Sequence, residues 1–206
     1  MATTARVVIL SRTKMSASNI CVGGYDIDNN VMLRLLSDKA GALNDTYLYQ
    51  VGETYEVTYM PRYQIEEPHT EDVAVYKYVK IQTVPGCDLS ALTSLLTLKN
   101  LNLQDLFDGK LCWENDSGYI AESNNVKYSV TIATLKIDLY KEGSYYLNKK
   151  WGIQINKIKY VGDLSIDSMP NIIHSGTKIR FSLARMWDIN KDGKRRSHLQ
   201  LSGIYS

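Results

Sequence analysis

Arg6-Val7-Val8-Ile9-Leu10, Ile20-Cys21-Val22-Gly23-Gly24-Tyr25 and Val31-Met32-Leu33-Arg34-Leu35 are three short apolar runs within residues 6–35. Each is β-branched and too short for a helix, so each reads as a strand. Ser11 to Asn19 is small and polar and reads as a loop. Asp28-Asn29-Asn30 has the residues of a tight hairpin turn. Gly23-Gly24 predicts a bulge or a close bend in the second strand. Arg34 interrupts an apolar run and must point to the other face. Downstream, Gly52 to Arg62 and Val73 to Thr83 alternate with the period of half-buried strands.

The middle of the chain changes character. Leu89, Leu92 and Leu96 fall at i, i+3 and i+7, a helical stripe that Asp88 or Ser90 can cap. Asn100 breaks it before a second short helix near Leu103 to Phe107, ended by Gly109. Strands resume at Val126. Tyr128 to Tyr140 reads as one long strand, followed by Lys150 to Ile155, Lys157 to Val161, Thr177 to Leu183 and Ser197 to Ile204. A loop holds Gly162, Pro170 and Gly176. The fold expected is mainly β, two small barrels joined by a short helical segment. The first spans residues 1–84, the connector 85–125 and the second barrel 126–206. About five strands in some 80 residues is the size of a small Greek-key barrel, of which the OB-fold is the commonest with a ligand face.

Composition fits a globular chain. Hydrophobic residues are 44% and charged residues 22%, which excludes global disorder. No apolar run approaches the ~20 residues of a membrane span. Cys21, Cys87 and Cys112 are odd in number and widely spaced, so no disulfide framework or metal motif is expected, and a reducing cytoplasm is the simplest setting. Fifteen of the 20 aromatics are tyrosine, which suits thin barrels with half-buried rings.

The net charge is only +2, but it is unevenly placed. From Arg180 onward six basic residues face two acidic ones, a local +4; the other 179 residues carry 18 basic and 20 acidic groups. Arg180, Arg185, Lys194, Arg195 and Arg196 are therefore the candidate phosphate holders, with Trp187 to stack a base. Against this stands a solvated hairpin with Arg180 paired to an acid. Arg34 and Lys14 are candidate anion contacts near the first strands. Arg34 also has internal partners available in Glu66, Glu67, Glu71 or Asp72. His69, Glu71 and Asp72 read as a structural clamp, or else as an acid–base pair; they are too few to hold a metal. Asp188-Ile189-Asn190-Lys191-Asp192-Gly193 has the first half of a calcium loop, but Leu199 stands where its glutamate belongs, so a β-turn is expected. Ser11-Arg12-Thr13-Lys14 lacks the partner motifs of an acyl-enzyme.

Four segments together resemble a bacterial family described as dual OB-containing domain proteins. The opening has Ser11, Lys14, Cys21 and Gly24 in order. Leu33-Arg34-Leu35-Leu36-Ser37 is similar to an Arg-Pro-x-Ser signature, with Leu35 in place of proline. Glu67-Pro68-His69-Thr70-Glu71-Asp72 resembles an acidic His-Pro-x-Glu stretch, with Thr70 departing. Arg180-Phe181-Ser182-Leu183-Ala184-Arg185 and Leu199 to Tyr205 match best. The resemblance implies two OB-type barrels and binding of nucleic acid or a nucleotide, in a bacterial or phage conflict system. The function expected is non-enzymatic binding with no cofactor. A protein–protein adaptor module is the alternative, and a small hydrolase using His69 and Glu71 the third reading.

Overall fold

The computed structural model describes residues 1–15, 18–150, 153–188 and 190–205. Contacts divide the chain into two compact units, Met1–Leu95 and Leu96–Ser206.

The first unit is built from β1 (Thr3–Lys14), β2 (Asn19–Asp26), β3 (Val31–Leu36), the short β4 (Leu43–Asn44), β5 (Thr54–Pro61) and β6 (Asp72–Ile81). β1, β2 and β3 form an antiparallel meander; β3 pairs in parallel with β6, β6 antiparallel with β5, and β5 antiparallel with β1. The ring closes, which leaves these five long strands no free edge. β1 closes it by serving two neighbours, β5 through Thr3 to Val8 and β2 through Val7 to Lys14. The register on β2 shifts between Ile9 and Ser11, so Leu10 is the extra residue and lies across from Gly23 and Gly24. The two glycines thus mark a bulge, on the partner strand. A Cβ on Gly24 would lie 2.6 Å from Val7 Cγ1 and 3.3 Å from the Val8 carbonyl oxygen, so the close approach of β1 beside its bulge favours a bare backbone there. β1 runs on to Lys14, past the loop expected from Ser11; Ser16 and Ala17 of that loop lie outside the described residues. Val7, Ile9, Val22, Leu33, Leu35, Val57 and Val73 fill the barrel, each such burial contributing about 1.5–3 kcal/mol. At the β2–β3 turn the buried Asp26 carboxylate accepts N–H bonds from Asp28 and Asn29 at 2.9 Å and the Tyr59 hydroxyl at 2.6 Å. Burial and that bond push the Tyr59 phenol up.

Between the expected barrels, α1 (Leu89–Leu96) is capped by Asp88, whose Oδ1 accepts the Ala91 N–H at 2.9 Å. A 3-10 segment, Leu103–Gly109, follows and ends on Gly109 at φ +71°. The stretch 85–125 also holds three strands, β7 (Thr97–Leu101), β8 (Cys112–Glu114) and β9 (Ser117–Ala121), which pair within the second unit.

That unit continues with β10 (Val130–Leu135), β11 (Leu139–Glu142), β12 (Tyr145–Lys150), β13 (Ile153–Tyr160), β14 (Ile172–Ile173), β15 (Lys178–Leu183) and β16 (Arg196–Tyr205). The strand expected over 128–140 is broken at 136–138, where the Lys136 N–H turns aside to the Leu101 carbonyl at 3.0 Å. Taken as one interrupted strand, β10 and β11 restore the ring of the first unit. β11, β12 and β13 form the meander, β13 pairs in parallel with β16, β16 with β15, and β15 returns to β10. β9 wedges between β13 and β16 and brings β8 with it. Ala133, Leu139, Tyr146, Ile158, Phe181 and Leu201 line the core, joined by Leu103, Leu106 and Phe107 from the 3-10 segment. The two strands expected at 150–155 and 157–161 are one strand, β13, and its partner β12 lies earlier; Trp151 and Gly152 between them lie outside the described residues. The chain is mainly β, as its sequence indicates.

Candidate nucleic-acid interface

In a five-stranded ring of this order, ligands are taken by the face of the second and third strands and by the loops joining strands one to two and four to five. In the second unit the four-to-five loop is 184–195, between β15 and β16. It is the basic C-terminal turn. Its neck is closed by Trp187 and Arg196, which exchange backbone bonds of 3.1 and 2.9 Å. Beyond the neck, Asp188 accepts the N–H groups of Asp192 (3.0 Å) and Gly193 (2.9 Å), and Asp192 accepts that of Lys194 (3.0 Å). Lys191 and Gly193 take positive φ. The calcium-like motif is therefore a turn held by its own carboxylates; its Ile189 lies outside the described residues.

The candidate residues divide by burial. Arg196 is buried; its guanidinium grips Asp192 at 2.7 and 3.0 Å, lies 3.2 Å from the Glu114 carboxylate and sits over the Tyr119 ring. This bond is the main reason the Asp192 carboxyl is held far below the usual carboxylate range. Arg180 is buried too, and donates to Ser202 Oγ at 2.7 Å. These two arginines are committed to the fold. Arg195 is 41% exposed and reaches Glu122 at 3.0 Å. Trp187 is 68% exposed, and Lys191 and Lys194 are exposed. Arg185 is half-buried.

The registers extend this loop into a face. Residues directly opposite on paired strands share a side. Tyr145 faces Lys159, Leu147 faces Lys157, and Lys159 faces Gln200 across the parallel pair. His198 and Arg196 follow at alternate positions on β16, opposite Tyr119 and Ala121 of β9. One side of the sheet thus runs from Tyr145 and Lys159 to the foot of the basic loop; on it Leu147 is buried and Lys157 half-buried, while Tyr146 and Ile158 fill the inside. Burial, and then the neighbouring Arg196, lower the His198 imidazole, so it is neutral at pH 7. Sequence reasoning missed Tyr145, Lys157 and Lys159. The signal was present: residues 143–162 carry four lysines and no acid.

In the first unit Arg34 lies opposite Asp72 and ion-pairs with it through Nε; Arg62 approaches the same carboxylate at 3.5 Å. Asp72 is 1% exposed, so Arg34 is a fold residue as well. His69 and Glu71 are buried in the loop 62–71, the counterpart of 184–195. Lys14 is exposed at the end of β1. Among the described residues no group of three or more His, Cys, Asp or Glu is placed to hold a metal. The units differ in sign. Residues 1–95 carry eight basic and eleven acidic groups, net −3; residues 96–206 carry sixteen and eleven, net +5.

The family model described as the dual OB-containing domain matches residues 5–204, nearly the whole chain. Neither the curated proteins nor the solved structures gave a match.

Proposed function

The chain belongs to the dual OB-containing domain family, and we propose that it is a non-enzymatic protein that binds nucleic acid or a nucleotide through its second barrel. The observation that carries this reading is the loop 184–195, a ligand loop of the ring, with exposed Trp187 beside Lys191, Lys194 and Arg195. Cations meet phosphates and the indole stacks a base. Arg185 adds charge at the foot of the loop; Arg180 and Arg196 act by holding its frame. Lys14 and Arg34 belong to the acidic first unit, where Arg34 is paired with Asp72.

The adaptor reading keeps one supporting observation. In the first barrel the equivalent loop exposes Tyr63 almost completely, with Ile65 beside it. Tyrosine at that exposure suits a protein contact. The hydrolase reading has no such support, since His69 is fully buried. A cytoplasmic setting is favoured by three free cysteines. Among the described residues no helix is long and apolar enough to cross a membrane. A role in bacterial or phage conflict rests on the family alone.

The test is fluorescence anisotropy with labelled single-stranded DNA, single-stranded RNA, duplex and a cyclic-nucleotide panel. With three phosphate contacts on a single strand, affinity falls about 20-fold between about 50 and about 200 mM salt. K194E/R195E lowers affinity at least ~10-fold by removing two of those contacts, while loss of the exposed Arg195–Glu122 pair costs the fold no more than about 1 kcal/mol. No binding of any probe at the lower salt overturns the reading.

A further inference from the structure

We infer that Arg180 anchors a second, buried site in the second barrel, built on β15 and β16 rather than on the loop 184–195, which takes a small oxyanion, a phosphate or a carboxylate. Ile179, Phe181 and Leu183 belong to the core, so Arg180 lies on the other side of β15. Its cross-strand neighbours there are Ile132 on β10 and Gly203 on β16, and Lys178, two residues earlier, lies opposite Thr134 and Tyr205. That row contains no acid. Arg180 is 5% exposed, and among the described residues its guanidinium makes one bond, from Nη1 to Ser202 Oγ at 2.7 Å. Its Nε–H is buried and has no partner among them. Nε and Nη2 form the edge of a guanidinium that grips two oxygens of one carboxylate or phosphate. The edge that recognises an oxyanion is thus the one the fold does not engage. Arg34 and Arg196, enclosed to a similar degree, each have an aspartate. A hydroxyl satisfies a donor but balances no charge, and a buried cation without a counter-charge is strongly destabilising. Ser202 ties Arg180 into the frame of the barrel; the oxyanion supplies the charge that this frame lacks. The local backbone is shaped around the arginine. The register of β15 on β16 shifts here, which makes Ser202 the bulge residue and turns its hydroxyl back to donate to the Arg180 carbonyl at 3.2 Å. A Cβ on Gly203 would lie 3.3 Å from the Tyr205 hydroxyl and 3.5 Å from Arg180 Cβ, so bare backbone there lets the phenol fold back beside the arginine. Burial pushes that phenol up to about 12, with Arg180 acting against the rise, so it is a neutral donor at pH 7. This site does not depend on nucleic-acid binding by the loop.

The experiment refolds the full chain from urea without oxyanions and follows its thermal unfolding as inorganic phosphate or acetate is added, with chloride holding the ionic strength constant. At saturation one or both should raise the midpoint by at least ~5 °C, since an anion bound only by the folded chain stabilises it by mass action. The two arms tell which oxyanion is preferred. In nuclear magnetic resonance spectra the Arg180 Nε–H signal should shift with the same half-saturating concentration. R180M should abolish the rise in midpoint. Without oxyanion it should be at least as stable as the wild type, because an apolar side chain of similar length removes an uncompensated charge. R180K keeps the charge and loses the fork; it replaces R180M if that variant does not fold, and should raise the half-saturating concentration at least ~10-fold. K194E/R195E should leave the rise as it is. No change of midpoint or of the Nε–H signal with either oxyanion overturns the inference. So does a rise that the Arg180 variants leave intact, or one that K194E/R195E abolishes, which would put the ion at the loop.

Discussion

Arg34 and Arg196 show what a cation does when the fold encloses it. Each stands near the junction of a strand with a loop, and each is held by an aspartate, Asp72 or Asp192. Asp72 is the more deeply placed, with Arg34 and Arg62 both turned toward it. Removing it leaves the half-unpaired Arg34 in a site with little water. Asp72→Ala is therefore expected to cost about 3–5 kcal/mol, read as a fall in thermal midpoint or in the urea midpoint; a loss under about 1 kcal/mol would place the pair among ordinary surface contacts. The sequence narrowed Arg34's partner to Glu66, Glu67, Glu71 or Asp72 because one acidic stretch is the obvious source. The choice among them depends on the parallel register of β3 and β6, a long-range fact. The basic turn was harder to read. Lysine and arginine look alike in a charge tally, yet Lys194 is exposed while Arg196 is buried against Asp192 and Glu114. Glu114 lies 82 positions away, on β8, so no local pattern announces it.

At the scale of elements, apolar periodicity was informative wherever the inward side is apolar throughout. β1, β2, β3, β5, β6, β15 and β16 overlap the apolar runs and alternations that announce them, although β1 runs on to Lys14. β12 and β13 do not, because their inward side carries a polar pair: the Asn148 amide donates to the Asn156 carbonyl oxygen at 3.3 Å, with Asn156 buried. That asparagine breaks the alternation and reads as a strand end. The lysine face was hidden by the same misplacement of strands. The β8–β9 hairpin was missed because its strands are three and five residues long. It is nonetheless tightly fitted. A Cβ on Gly118 would come within 3.1 Å of the Trp113 ring and 3.3 Å of Leu199. Gly118→Ala should thus destabilise the second unit by about 1–3 kcal/mol through overpacking. Gly41→Ala, whose new Cβ meets only the Ser37 hydroxyl at 3.4 Å, should be near neutral. Differential scanning calorimetry of the two variants checks this; equal effects would contradict the packing described around Trp113.

For the molecule as a whole, one ring topology is used twice with opposite charge. The −3 of residues 1–95 and the +5 of 96–206 nearly cancel in the total of +2. A ligand made of phosphates is repelled by one sign and drawn by the other. The proposed nucleic-acid site therefore falls on the second barrel, although both units have a loop at the same place in the ring. The most direct test is photo-crosslinking of the full chain to a single-stranded oligonucleotide carrying photoreactive bases, with the attached residues identified by mass spectrometry. The expected result is attachment within 140–200, at Tyr145 and Trp187 above all. Attachment confined to residues 1–95, or none at low salt, would contradict the assignment.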